Sequence, residues 1–188
     1  MSQYNHEKLL KLARELLPGD PSLIEELRAI IEDTPEHSVR TEAAYENGLG
    51  WYAIEAEENL HEILWDTLLD RLRDHNRLVD VELKELPDNI AQNIDDLLED
   101  LPPDANRWNW IETEGWGWKD RSRWYKLMPN GFLKQVQQRV ISPNKLLTCL
   151  DTDPEGYALC LIDISRFEKI KKLSQESYYG KIIKVEDL

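Results

Sequence analysis

The sequence predicts an α+β fold: a single domain with a mixed β-sheet of about five strands, packed with helices and preceded by an N-terminal helical hairpin. Three observations carry this. Segments with helical apolar spacing interleave with strand-like runs without a strict one-to-one rhythm. One pair of strand-like runs, LLTCLDT and YALCLIDI, is separated only by DPEG, which makes a hairpin and excludes an all-parallel sheet. A length of 188 residues with 41% hydrophobic and 32% charged residues suits one soluble domain with a substantial core. The domain is expected to span 1–188, with a helical part at 1–48 and a sheet-containing core at 49–188 that carries a tryptophan-rich insert at 106–125.

From Glu7, the residues Leu9, Leu12, Ala13 and Leu16 recur at helical spacing until Pro18 and Gly19 stop the run. A second helix follows, with Ser22 and Glu25 spaced as a capping box and Leu23, Leu27, Ile30 and Ile31 on its buried stripe. Residues 38–47 predict a short third helix. WYAIEA, residues 51–56, reads as a strand because Trp51, Tyr52 and Ile54 favour a pleated surface. The next helix sets Leu60, Ile63, Leu64, Leu68 and Leu72 on one face and Glu62, Asp66, Asp70 and Asp74 on another. RLVDVELK, residues 77–84, alternates as a strand with Leu78, Val81 and Leu83 as core candidates, and its parity shifts between Leu78 and Val81. Ile90, Ile94, Leu97 and Leu98 mark an acidic helix. FLKQVQQRV is a helix with Phe132, Val136 and Val140 inward. After the strand hairpin, SRFEKIKKL is a helix with Ser165 and Glu168 at capping positions, and KIIKVE supplies the fifth strand.

Charge narrows the partners. The net charge is -14, and it is bipolar: residues 55–104 carry 16 acids and 4 bases, whereas residues 105–145 carry 8 bases and 3 acids. Such a field repels nucleic acid and anionic membranes and attracts a basic protein. No run of about 18 apolar residues exists to span a bilayer, and the N-terminus lacks the apolar run of a signal peptide. These features predict a cytoplasmic protein, where Cys149 and Cys160, both inside apolar runs, would be free buried thiols.

Five of the seven tryptophans fall in NRWNWIETEGWGWKDRSRWY, residues 106–125, in a chain with two phenylalanines. Pairing Trp108 with Trp118 also pairs Trp110 with Trp116, so a hairpin turning at ETE would gather four indoles on one face. Packed inward, they clamp the hairpin onto the helical layer. Turned outward, Trp108, Trp110, Trp116, Trp118 and Trp124, with Arg121 and Arg123, form a platform for a small ligand or carbohydrate.

DTDPEG, residues 151–156, starts like a calcium loop with Asp151, Asp153 and Glu155, but Ile162 occupies the position where a bidentate glutamate is required and the flanks read as strands. The loop is a strand turn on this reading; Asp151 and Asp153, with Asp163, are the alternative metal site of a metal-assisted enzyme. His6, His37, His61 and His75 show no metal-ligand spacing. Neither a phosphate-binding glycine loop nor GxSxG occurs. The sequence assigns no catalytic residue and no cofactor.

The order of EKLLKLARELLPGD, WYAIEAEENLHEILWDTLLDRL and LLTCLDTDPEGYALCLIDI resembles an uncharacterised bacterial family, domain of unknown function 6630, over about residues 7–182. The resemblance implies no activity to carry over. Small acidic bacterial proteins of this type resemble immunity and antitoxin proteins, which cover a toxin's active site. The expected function is therefore a non-catalytic, acidic protein-binding domain for a basic partner, with Glu62, Asp66, Asp70, Asp95, Asp96 and Glu99 as the docking acids.

Overall fold

The computed structural model describes residues 4–33, 50–82, 85–98, 104, 106–114, 116, 129–153 and 156–188. Among them are seven α-helices and one sheet, so the fold is α+β. The sheet differs from expectation in two respects. It has four strands, and every strand pairing is antiparallel rather than mixed. The described residues group into two compact units, Met1–Leu72 with Lys172–Gly180, and Arg73–Lys171 with Lys181–Leu188.

The first unit is helical. Helix α1 (His6–Leu16) begins where the Asn5 side chain accepts from the Lys8 amide at 3.1 Å, and it buries Leu9, Leu12 and Ala13. Helix α2 (Pro21–Asp33) packs against α1. Its cap is Asp20 rather than the expected Ser22: an Asp20 carboxylate oxygen accepts from the Leu23 amide at 3.2 Å and from the Ser22 hydroxyl at 2.5 Å. Asp20 is the better cap because Pro21, whose missing N–H costs nothing in the first turn, stands at the first helical position.

Helix α3 (Gly50–Asp74) absorbs the expected strand at 51–56. The run Ala53, Glu55, Ala56, Glu57 and Glu58 consists of strong helix formers, and these outweigh the β preference of Trp51, Tyr52 and Ile54 once the helix is nucleated downstream. This accounts for the fifth strand. Leu60, Leu64, Trp65, Leu68, Leu69 and Leu72 are buried, whereas Ile63, expected on the same face, is 53% exposed. At 3.6 residues per turn Ile63 lies about 150° around the helix from the centre of that stripe.

The second unit is built on the sheet, in the order β1-β3-β2-β4, with β1 (Leu78–Glu82), β2 (Lys145–Asp153), β3 (Gly156–Asp163) and β4 (Ile183–Lys184). Helices α4 (Pro87–Leu97), α5 (Asn109–Thr113) and α6 (Asn130–Arg139) belong to this unit; α7 (Ile164–Ser177) follows β3. Ile90, Ala91, Ile94, Phe132, Leu133 and Val136 form one core with Val81, Leu147, Cys149 and Leu159 of the sheet. The opposite face is buried as well, through Leu78, Leu146, Thr148, Ala158, Cys160 and Ile162. Burial on both faces explains the parity shift of β1: Leu78 lies opposite Cys160 and Val81 opposite Tyr157, so the two side chains serve different cores. Leu83 and the third helix expected at 38–47 lie outside the described residues. Val140, expected inward, is half-buried at the end of α6.

Side chains close the sheet's edges. Gln137 of α6 acts as a substitute strand against β2: its carbonyl accepts from the Leu147 amide at 2.6 Å and its amide donates to the Lys145 carbonyl at 3.2 Å. On β1, the Asn93 amide donates to the Asp80 carbonyl at 3.1 Å, and a Glu85 carboxylate oxygen accepts from the Glu82 amide at 3.1 Å. An edge so occupied offers fewer groups to a passing strand.

Cys149 and Cys160 are both free and buried. Cys149 lies opposite Leu159 and Cys160 opposite Thr148, successive positions whose side chains leave opposite faces, which forbids a disulfide between them. Among the described residues no helix is long and apolar enough to cross a membrane.

A Cβ on Gly180 would stand 2.0 Å from the ring of the buried Trp65. Gly180→Ala should cost about 2 kcal/mol by chemical denaturation, in the range of an overpacked core, and Trp65→Leu in the same chain should recover part of the loss in a double-mutant cycle. Burial pushes the Cys160 thiol up to about 12, against a smaller opposing effect of its hydrogen bond with Thr148. It is therefore protonated at pH 8, and a thiol reagent at that pH should modify it only after denaturant is added.

Candidate functional site

Helix α3 divides its surface sharply. The face opposite the leucine stripe carries Glu62, Asp66 and Asp70 at four-residue spacing, and all three are exposed. Ile63 lies along the same strip and is among the few large exposed hydrophobic residues of the described chain. Carboxylates spaced at i, i+4 and i+8 stand one above another on a helix, so the strip presents a line of negative charge with one apolar side chain in it.

The other expected docking acids are placed differently. On α4, Asp96 is exposed, but Asp95 is held within its own unit. Its two carboxylate oxygens accept from Arg107 Nη1 at 2.7 Å and from Trp108 Nε1 at 2.8 Å, with the Arg107 side chain only 14% exposed. Asp95 thus anchors the start of the tryptophan segment. Glu99 lies outside the described residues.

The tryptophan hairpin is not formed as expected, since residues 109–113 are the helix α5. The Asp104 carboxylate accepts from the Asn106 amide at 2.9 Å, the Ile111 amide donates to the Trp108 carbonyl at 2.9 Å, and the Trp116 amide returns to the Ile111 carbonyl at 2.8 Å. Local turns of this kind satisfy the backbone without a partner strand. Trp108 and Trp110 are half-buried and Trp116 is buried. Trp110 stacks on Phe132 with centroids 5.4 Å apart, and Trp116 meets the same ring at 5.6 Å. Arg139 covers Trp110 at 5.1 Å and binds Glu114 through both guanidinium nitrogens, at 2.7 and 2.9 Å. Trp118, Trp124, Arg121 and Arg123 lie outside the described residues.

Asp151 and Asp153 are strand residues, in register with Ala158 and Gly156 across a bulge that follows Cys149. Asp163 closes β3 and stands 3.8 Å from Lys145 Nζ. Among the described residues no group of three His, Cys, Asp or Glu side chains is placed to hold a metal ion.

One constellation escaped the sequence reading. Tyr179, 5% exposed, shares a hydrogen bond between its hydroxyl and His6 Nδ1, while its carbonyl accepts from His61 Nε2 at 2.8 Å. The His61 ring stacks on Tyr4 at 4.2 Å and on Tyr179 at 4.9 Å, and the two tyrosine rings also meet, at 5.4 Å. Nearby, the Asn5 amide donates to the Ser177 carbonyl at 2.9 Å and Lys8 pairs with Glu176, holding its carboxyl below the ordinary range. The histidines are 173 and 118 residues from Tyr179 in the chain, so no spacing could have signalled the cluster. It fastens the N-terminus to the end of α7 within the first unit.

No curated protein and no solved structure gives a match to this chain. A protein-family model described as a domain of unknown function, DUF6630, matches residues 8–184, nearly the whole chain. The protein, whose helices α1 and α2 lead through the acidic α3 to the closing β2–β3 hairpin and α7, belongs to the DUF6630 family.

Proposed function

We propose that this protein is a non-catalytic binding domain that docks a basic protein partner, in the manner of an immunity or antitoxin-like inhibitor. One observation carries the reading: the strip Glu62, Ile63, Asp66 and Asp70 on α3 joins three exposed carboxylates to an exposed isoleucine. Exposed carboxylates alone solvate a helix, but a branched apolar side chain among them gains only when something covers it. A partner with lysine or arginine around an apolar notch fits both features. Long-range attraction from a chain of net charge -14 would accelerate the encounter, and burial of Ile63 would slow release. The setting we propose is the bacterial cytoplasm, a compartment that keeps thiols such as Cys149 and Cys160 reduced.

The test is capture from a native bacterial lysate on immobilised protein, with any captured protein identified and rebound in purified form. The expected result is a basic protein retained at low salt and released as salt rises to about 0.5 M, where the Debye length falls well below its physiological 8 Å. Charge reversal by Glu62→Lys with Ile63→Ser should weaken rebinding at least tenfold, equivalent to about 1.4 kcal/mol, while Asp96→Lys should change it little. Retention that ignores salt and both strip substitutions would remove the proposal.

A further inference from the structure

The exposed acids of α3 stand in a row, and the row beside them differs in kind. On a helix, residues four apart form ridges inclined about 26° to the axis, with a groove between neighbouring ridges. Glu62, Asp66 and Asp70 make one such ridge, with about 6 Å between successive residues along the axis. Ile63, Thr67 and Arg71 make the next one, and both ridges lie within the first unit. Ile63 is exposed and Thr67 is half-buried. The Thr67 hydroxyl donates to the Ile63 carbonyl at 2.7 Å, so its polar group is turned back to its own helix. Arg71, at the far end, pairs with Asp20 at 3.7 Å and with Glu26 of α2, two carboxylates for its one charge. The groove between the ridges therefore has one anionic wall and one wall that begins apolar and ends with its cation compensated.

A partner that fits must set cations along one wall and apolar atoms against the other at the same step. A strand does not: its side chains alternate between faces, so one face offers a single row. A flexible basic tail meets the charge but loses chain entropy for every residue it orders. An α-helix offers two adjacent ridges at the spacing of α3, already ordered, and ridges of residues four apart on two helices interlock at a crossing of about 50°, the commonest class in globular proteins. We infer, on the basis of the docking role proposed above, that this groove of α3 receives an amphipathic helix of the partner, one whose lysines or arginines recur every four residues beside an apolar ridge. The cations lie along Glu62, Asp66 and Asp70, and the apolar ridge enters the groove against Ile63 and Thr67.

Fluorescence anisotropy of two labelled synthetic peptides titrated with the full chain tests the fit. Both are alanine-rich and share one composition. In the first, lysines and leucines occupy adjacent four-residue rows; in the second, the same residues are shuffled out of those rows, with circular dichroism confirming equal helicity. The ordered peptide is expected to bind at least tenfold more tightly than the shuffled one. Asp66→Lys, which interrupts the anionic ridge, and Thr67→Lys, which sets a long cation in the groove, should each remove most of that advantage, while Asp88→Lys on α4 leaves it unchanged. Melting curves check that each variant folds, and Thr67→Ser, which keeps the groove open, should retain binding. Equal affinity for the two peptides, with both weakened by Glu62→Lys and Ile63→Ser together, overturns the helical partner and leaves the strip as a docking surface for a basic protein of another form. Binding by neither peptide, or an advantage untouched by Asp66→Lys and Thr67→Lys, overturns the groove, while the salt-dependent capture above decides the docking role itself.

Discussion

Burial of both faces of a four-stranded antiparallel sheet is the constraint on which the second unit depends. β2 and β3 pair over most of their lengths and form its spine, while β1 and the two-residue β4 close the sides. A sheet that small cannot leave a face open without exposing leucine and isoleucine to water, so one side takes Phe132, Ile90 and Ile94 and the other buries Leu146, Cys160 and Ile162. Burial of the faces then forces satisfaction of the edges. A backbone amide such as that of Leu147 would cost about 1–3 kcal/mol if left unmade inside the fold. Gln137 removes that cost from a helix, with both ends of one side chain, where a further strand would otherwise be required.

The helical unit rests on a comparable dependence at a smaller scale. Trp65 is buried on α3 because the chain at Gly180 presents no Cβ to it, and Tyr179, one residue earlier, is pinned by His6 and His61. Tyr178 absorbs the resulting change of direction. It adopts a left-handed conformation, φ 63°, at the end of α7, where the unbranched backbone of glycine is usual, and its ring remains 65% exposed. The sequence Tyr-Tyr-Gly at 178–180 thus combines a turn, an anchor and a gap in three consecutive residues.

Much of this was legible in the sequence because it depends on local periodicity. The helices at His6–Leu16, Pro21–Asp33 and Pro87–Leu97, the hairpin of β2 and β3 and the strand at Leu78–Glu82 all have apolar spacing that matches their secondary structure. The failures have physical causes of another kind. WYAIEA and the tryptophan segment carry side chains that favour strands, but a strand needs a partner, and α3 and α5 satisfy their backbones alone. Tryptophan frequency identified a packing centre correctly in place but not in form. The anchor of that centre, Asp95, looked like one more surface acid, because nothing in its neighbourhood in the chain discloses that Arg107 and Trp108 return to it. The His6, His61 and Tyr179 cluster was invisible for the same reason.

The same distinction orders the acids of the chain. Asp20, Asp80, Asp95 and Glu114 each have a defined local partner, respectively an amide cap, Arg73, the Arg107 and Trp108 pair, and Arg139. Their charge is used where it stands, and such pairs at the surface add little stability unless their geometry is fixed, as it is for the two-pronged Arg139 contact. Carboxylates lined along one helix face act, in addition, through the field they sum to. Glu62, Asp66 and Asp70 are aligned along α3, so their potentials add in one direction, and Ile63 is exposed beside them. Attraction from a distance and apolar burial at contact are separate requirements of a docking surface, and the docking role we propose for this strip draws on both.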